Sequence, residues 1–245
     1  MRRVHSAACA ALLFLAVPGS ALDRSPLDWA NTLRGTAAPA LRPDPLLSDV
    51  ARRYAAELAA AGVLSHTGPA DGSRALDRYL RAGGTAFEVG EILGAGPDLA
   101  AVERAWAASP GHRRVVAGER YTSIGWGSAT RDAQQVWVVM FARSAVADLS
   151  LRENDRILLV SGRLEPPWAA EPWLDAGSGE VAPAAWDPVT RLFAYRVPLV
   201  DGRAWFLLGC RDVYGERQAT DSVTWPRGTG SPAGAGRSTP PAPPP

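Results

Sequence analysis

The chain has no lysine: all 26 of its basic residues are arginines, set against 25 acidic ones. No block of positive charge stands out, which excludes nucleic acid as the main partner, since phosphate binding needs concentrated cations. Histidine is nearly absent, with only His5, His66 and His112. Cysteine is limited to Cys9 and Cys210. No apolar run reaches the roughly 20 residues that span a bilayer as a helix, so no transmembrane segment is expected in the mature chain.

The N-terminus carries the pattern of an export signal. Arg2 and Arg3 give a positive start, Ala7 to Val17 an apolar core, and Gly19-Ser20-Ala21 a small-residue cleavage site. An uncleaved N-terminal anchor is the alternative. Cleavage after residue 21 removes His5 and Cys9 and leaves 24 arginines against 25 acids. The expected location is secreted, periplasmic or cell-envelope. Cys210 is then alone, so no internal disulfide can form. Stability must come from core burial, for which 47% hydrophobic residues and nine tryptophans provide material.

Hydrophobic periodicity outlines the first half. Asp44-Pro45 offers an N-cap followed by proline at the first helical position. Leu47, Val50, Tyr54 and Leu58 recur at helical spacing until Gly62. A shorter helix is predicted from Ser73, with Leu76 and Leu80 inward and Gly83-Gly84 ending it. A third runs from Asp98 through Leu99, Val102 and Trp106 until Ser109-Pro110 breaks it. Strands are predicted over 121–127 and 135–143, the second rich in β-branched and aromatic residues.

From about Val146 the pattern is all β. Strands are expected over 157–164, 192–199 and 204–210, with a short one over 222–225. Asp201-Gly202 is a hairpin signal, because a tight primed turn needs positive φ. Pro166 to Pro188 reads as loops. The expected organisation is a signal peptide over 1–21, an α+β domain over 24–145, an all-β, sandwich-like module over 146–228, and a disordered proline-rich tail over 229–245.

Both mature histidines sit in compact polar motifs, Leu64-Ser65-His66-Thr67-Gly68 and Ser109-Pro110-Gly111-His112-Arg113. Imidazole titrates near neutrality and ligates metals readily. Glu88 and Glu91 lie between them, Glu91 directly after Gly90. Each residue also has a purely structural explanation. His66 could complement a helix C-terminus, Glu91 could accept from backbone amides, and His112 could fix a turn. Glu88 is expected to face solvent. No Gly-x-Ser-x-Gly elbow exists for a serine nucleophile, and neither Ser65 nor Ser109 has an identified orienting partner.

In order along the chain, several motifs resemble the CAP superfamily of SCP-like proteins in its bacterial form. That superfamily includes cysteine-rich secretory proteins, insect venom antigens and plant pathogenesis-related proteins. The matching residues are Asn31 and Arg34, Ser65-His66, Arg78, Gly83 and Gly90-Glu91. They continue with the full run from Trp106 through Ser109-Pro110-Gly111-His112-Arg113, then Gly125-Trp126-Gly127 and Val136 to Phe141. The likeness covers about half the chain, roughly 26–143. It implies an α-β-α sandwich with an open cleft into which His66, Glu91 and His112 point, and Ser109 is a further candidate residue of that cleft.

Two positions depart from the pattern. Ile92 stands where the family has asparagine, and Ser109 where eukaryotic members have a second glutamate. Some members bind zinc through the two histidines. His66 and His112 are therefore the candidate zinc ligands, and Glu91 a third ligand or a general base on metal-bound water. The resemblance thus leaves three functions open. One is an exported protein binding a small molecule, lipid or envelope component. Another is a zinc-dependent hydrolase using the same cleft, and the last a non-catalytic envelope scaffold.

Overall fold

A computed structural model describes residues 25–226. The expected signal peptide and proline-rich tail lie outside the described residues. Five helices and eleven strands follow in chain order: α1 Pro26–Arg34, β1 Arg42–Pro43, α2 Pro45–Ala61, α3 Ala75–Arg81, β2 Glu88–Gly96, α4 Leu99–Ala108, α5 Pro110–Val116, β3 Ser123–Arg131 and β4 Gln134–Arg143. Then come β5 Val146–Asn154, β6 Ile157–Leu164, β7 Ala169–Asp175, β8 Ala185–Asp187, β9 Leu192–Pro198, β10 Ala204–Asp212 and β11 Arg217–Trp225.

The first sheet has the order β1-β3-β4-β2, so β2 is an edge strand. Side chains alternate across β4. Val136, Val138, Met140 and Ala142 join Leu47, Val50, Tyr54 and Leu58 of α2 on one face. Val139 and Phe141 join Trp29, Val102, Trp106 and Val116 on the other, under α1, α4 and α5. This is the α-β-α layering that the resemblance implies.

The Gly125-Trp126-Gly127 motif has a steric cause. A Cβ on Gly125 would sit 2.2 Å from Ser48 N, and one on Gly127 2.2 Å from Arg52 Cα. The two glycines let α2 lie flush on β3. Trp126 between them points to the opposite face, as the pleat dictates. The predicted helix ends also hold. Asp44 Oδ1 accepts from Leu46 N at 2.8 Å and Leu47 N at 3.1 Å, and Gly62 closes α2 with φ 73°. Asp98 Oδ1 accepts from Ala101 N at 2.7 Å to start α4.

Two expectations in this half are corrected. The helix expected from Ser73, α3, begins at Ala75, and its inward residues are Ala75 and Tyr79. Leu80 is 45% exposed. Ser73 is buried, but as a partner of Arg78 and Asp71, and it is not the helix cap. His112 does not lie in a turn. Ser109 restarts the chain as the N-cap of α5, which places His112 in that helix's first turn.

After residue 145 two sheets, β5-β6-β9-β8 and β11-β10-β7, face each other. They share one core that includes Leu158, Val160, Phe193, Tyr195, Phe206, Leu208, Cys210 and Val223. Cys210 is buried, and burial pushes its thiol up to about 12. The segment expected to be loops holds β7 and β8. Pro172 falls within β7, an edge strand of the β11-β10-β7 sheet, where a missing N–H is tolerated. The last strand is also longer than expected.

Asp201 and Gly202 do form a tight turn, with φ 51° and 71° and reciprocal Val200–Arg203 bonds of 2.9 Å. Beyond that bridge β9 and β10 diverge into different sheets, so the turn is a sheet-to-sheet corner.

The two halves meet at β11. Ala86 bridges to Asp221, Phe87 N donates to Thr220 O at 3.0 Å and Ser222 N to Thr85 O at 2.8 Å. The buried Asp221 carboxylate accepts from Thr85, Ser144 and Thr220 hydroxyls at 2.7, 2.8 and 2.7 Å. Burial raises its pKa.

Candidate functional site

Strand β2 and the end of α2 bring the first two residues together. On edge strand β2, odd-numbered residues face α2 and α3, so Glu91 lies beside Leu93 on that face while Ile92 turns into the core under α4. Ile92 is fully buried there. Replacing the family's asparagine by isoleucine thus adds apolar packing. Gly90 is required next to it, because a Cβ would stand 2.5 Å from Tyr121 Oη.

The loop after α2 presents His66. Tyr54 Oη on α2 donates to Ser65 O at 2.5 Å. Ser65 Oγ accepts from Thr67 N at 3.0 Å and donates to Thr67 O at 2.8 Å. The loop is therefore tied both to the helix and to itself.

Glu91 is the centre of the arrangement. Its side chain is 3% exposed. Oε1 is 2.8 Å from His66 Nδ1, and Oε2 accepts from Arg78 Nη2 at 2.6 Å. Arg78 also donates through Nη1 to Ser73 O at 2.6 Å, and its guanidinium lies 3.4 Å from the centroid of the Tyr54 ring. Burial pushes the Tyr54 phenol upward against the opposing pull of Arg78, so the hydroxyl stays a donor to Ser65. The imidazole of His66 is by contrast 62% exposed.

His112 approaches from the opposite layer, on α5. Its Nδ1 is buried and has no hydrogen-bond partner. Burial, and secondarily the charge of His66, lower its pKa. Ser109 serves locally: its Oγ accepts from His112 N at 3.4 Å as the N-cap of α5. Glu88, one turn of the pleat from Gly90, is partly exposed and 3.8 Å from Arg143.

Among the described residues no group of three or more His, Cys, Asp or Glu side chains is disposed to hold a metal ion. Both carboxylate oxygens of Glu91 are already engaged, one by a guanidinium. Two imidazoles without a free carboxylate fall short of the roughly three protein ligands of a catalytic zinc site. The donor set as arranged does not fit that metal centre.

Arg78 and Tyr54 complete the site, although neither is prominent as a candidate in the sequence. Arg78 appears only as one element of the resemblance, and Tyr54 only as a core position of a helix. The other motif residues hold the scaffold. Asn31 exchanges two hydrogen bonds with the Leu41 backbone, at 3.1 and 2.7 Å. Buried Arg34 donates to the carbonyls of Pro39, Val116, Gly118 and Tyr121, closing the end of α5 where carbonyls lack helical partners. Trp106 Nε1 donates to Leu93 O at 2.7 Å.

The model of the cysteine-rich secretory protein family, CAP, matches residues 21–141. Among solved structures, the chain is similar to an extracellular protein containing a SCP domain from Bacillus anthracis, at 27% identity and TM-score 0.45, over 48% of this chain and 39% of that one. It thus spans well under half of that protein. It is also similar to an outer surface protein from Borrelia burgdorferi, at 26% identity and TM-score 0.44, over 47% and 86%. A venom allergen-like protein of Schistosoma mansoni matches at 12% identity and TM-score 0.37, over 48% and 84%. No curated protein matches the sequence. Among the described residues no helix is long and apolar enough to cross a membrane.

Proposed function

Because residues 21–141 belong to the cysteine-rich secretory protein (CAP) family, we propose that the chain is an exported binding protein. Its cleft at the edge of β2 takes the polar end of a small molecule, lipid or cell-envelope component. The strands after residue 145 act as a second module.

The observation that carries this reading is the Arg78–Glu91–His66 chain. Glu91 accepts from Nδ1 of His66, which leaves Nε2 as the ring nitrogen available to a ligand on an exposed side chain. Glu91 is itself held by Arg78, so the carboxylate orients the imidazole in the manner of an outer-shell partner. His112 adds a second ring that burial favours in the neutral form. With Nδ1 of His66 held by Glu91 and Nδ1 of His112 buried, each ring has its Nε2 left for a polar group such as a hydroxyl.

The protein purified from its native host is to be extracted with organic solvent and the extract compared by mass spectrometry with that of His66→Ala/His112→Ala. A retained compound present in wild type and lost from the double variant, with unchanged thermal unfolding, supports the reading. Identical extracts from both proteins overturn it.

A further inference from the structure

A second cleft, of about 350 Å³, opens where β4 gives way to the strands after residue 145. Its floor is made by Arg143, at the end of β4, and Trp168, in the turn before β7. The Arg143 guanidinium lies 5.8 Å from the centroid of the Trp168 ring. Nη2 of Arg143 donates to Gln218 Oε1 at 2.9 Å. A cation, an indole and an amide are thereby held in one fixed group.

Tyr214, at the tip of the β10–β11 hairpin, forms one wall. Tyr214 is 90% exposed and the neighbouring Val213 is 63% exposed. The tip is not loose. Asp212 Oδ1 accepts from Tyr214 N and Glu216 N, each at 2.9 Å. Gly215 N donates to Asp212 O at 2.9 Å, and Gly215 supplies the positive φ of 82° that closes the turn. An ordered turn therefore presents an aromatic ring fully to solvent, an arrangement typical of recognition surfaces.

Glu119 and Arg120 also line it. The charges lining the cleft balance: Arg120 and Arg143 against Glu119 and Asp212. A balanced lining favours neither a phosphate nor a cationic peptide. What remains is aromatic surface beside planar donors and acceptors. The volume lies at the low end of small-ligand pockets, roughly 300–1,000 Å³, which is too small for an extended acyl chain.

We propose that this cleft binds a neutral oligosaccharide. The apolar face of one sugar ring stacks on Tyr214, with Trp168 beside it, and its hydroxyls pair with Arg143, Gln218 and the carboxylates. This site is separate from the His66 cleft and does not depend on it.

Calorimetric titration of the full chain with chitotriose, cellotriose and maltotriose tests the proposal. At least one trisaccharide binds wild type, and Tyr214→Ala, at an exposed position where folding is unaffected, weakens that binding tenfold or more. His66→Ala/His112→Ala retains wild-type affinity. Failure of all three sugars to bind overturns the proposal, as does undiminished affinity in Tyr214→Ala. Binding lost only in the histidine double variant places the sugar in the first cleft and also overturns it.

Discussion

Arg78→Met is the substitution that interrogates the site most directly. Methionine keeps much of the aliphatic stem but removes the guanidinium that lies over Tyr54 and pairs with Glu91. The carboxylate is 3% exposed and keeps only His66 as a side-chain partner. Removing one member of a buried pair costs about 3–5 kcal/mol, because the surviving charge stays desolvated. The remaining bond to His66 places the expected loss near the lower bound, about 3 kcal/mol. For a chain of this size about 1 kcal/mol shifts Tm by roughly 2–4 °C, so Tm falls by about 6–12 °C. Differential scanning calorimetry and urea unfolding measure it. Arg78→Met/Glu91→Leu removes the stranded charge as well and recovers most of the loss. A single variant that loses less than about 1 kcal/mol refutes the reasoning. So does a double variant as unstable as the two single changes summed.

Two further outcomes follow from the same geometry. Burial and the charge of His66 depress the His112 pKa below its ordinary 6.5. The unfolded chain therefore binds more protons in that window: the contribution is complete above 6.5 and is lost as pH falls through the lower, folded value. NMR titration of His112 shows the depressed midpoint, and His66→Ala moves it upward; an unmoved midpoint removes the electrostatic link between the two rings. Gly127→Ala forces a Cβ to within 2.2 Å of the Arg52 backbone. Overpacking against backbone costs at least about 1–3 kcal/mol, read as a lowered urea midpoint, and an unchanged midpoint contradicts the flush packing of α2 on β3.

Helix ends and faces were legible wherever local chemistry decides them. Asp44-Pro45, Gly62 and Asp98 cap through short-range bonds, and the spacing of Leu47, Val50, Tyr54 and Leu58 sets a buried stripe whatever that stripe packs against. Helix α3 misled because Leu80 faces outward, while Ala75 and Tyr79 fit the space under the sheet. Strand β2 was not legible: Gly90, Gly94 and Gly96 interrupt its pattern, each facing α4, α5 or Tyr121 too closely for a side chain. Pro166 to Pro188 hid β7 in the same way, since proline is a poor strand former except at an edge.

The residue types of the site were visible in the chain, because scarce histidines in a motif stand out against 245 residues. Their relations were not. That Glu91 meets His66 through Nδ1, and is gripped from behind by Arg78 over Tyr54, depends on a strand, a loop and two helices converging on one edge of a sheet. Sequence sets periodicity and caps, which act over a few residues. Which buried charge faces which partner is an electrostatic outcome of long-range packing, and it exists only once the layers close.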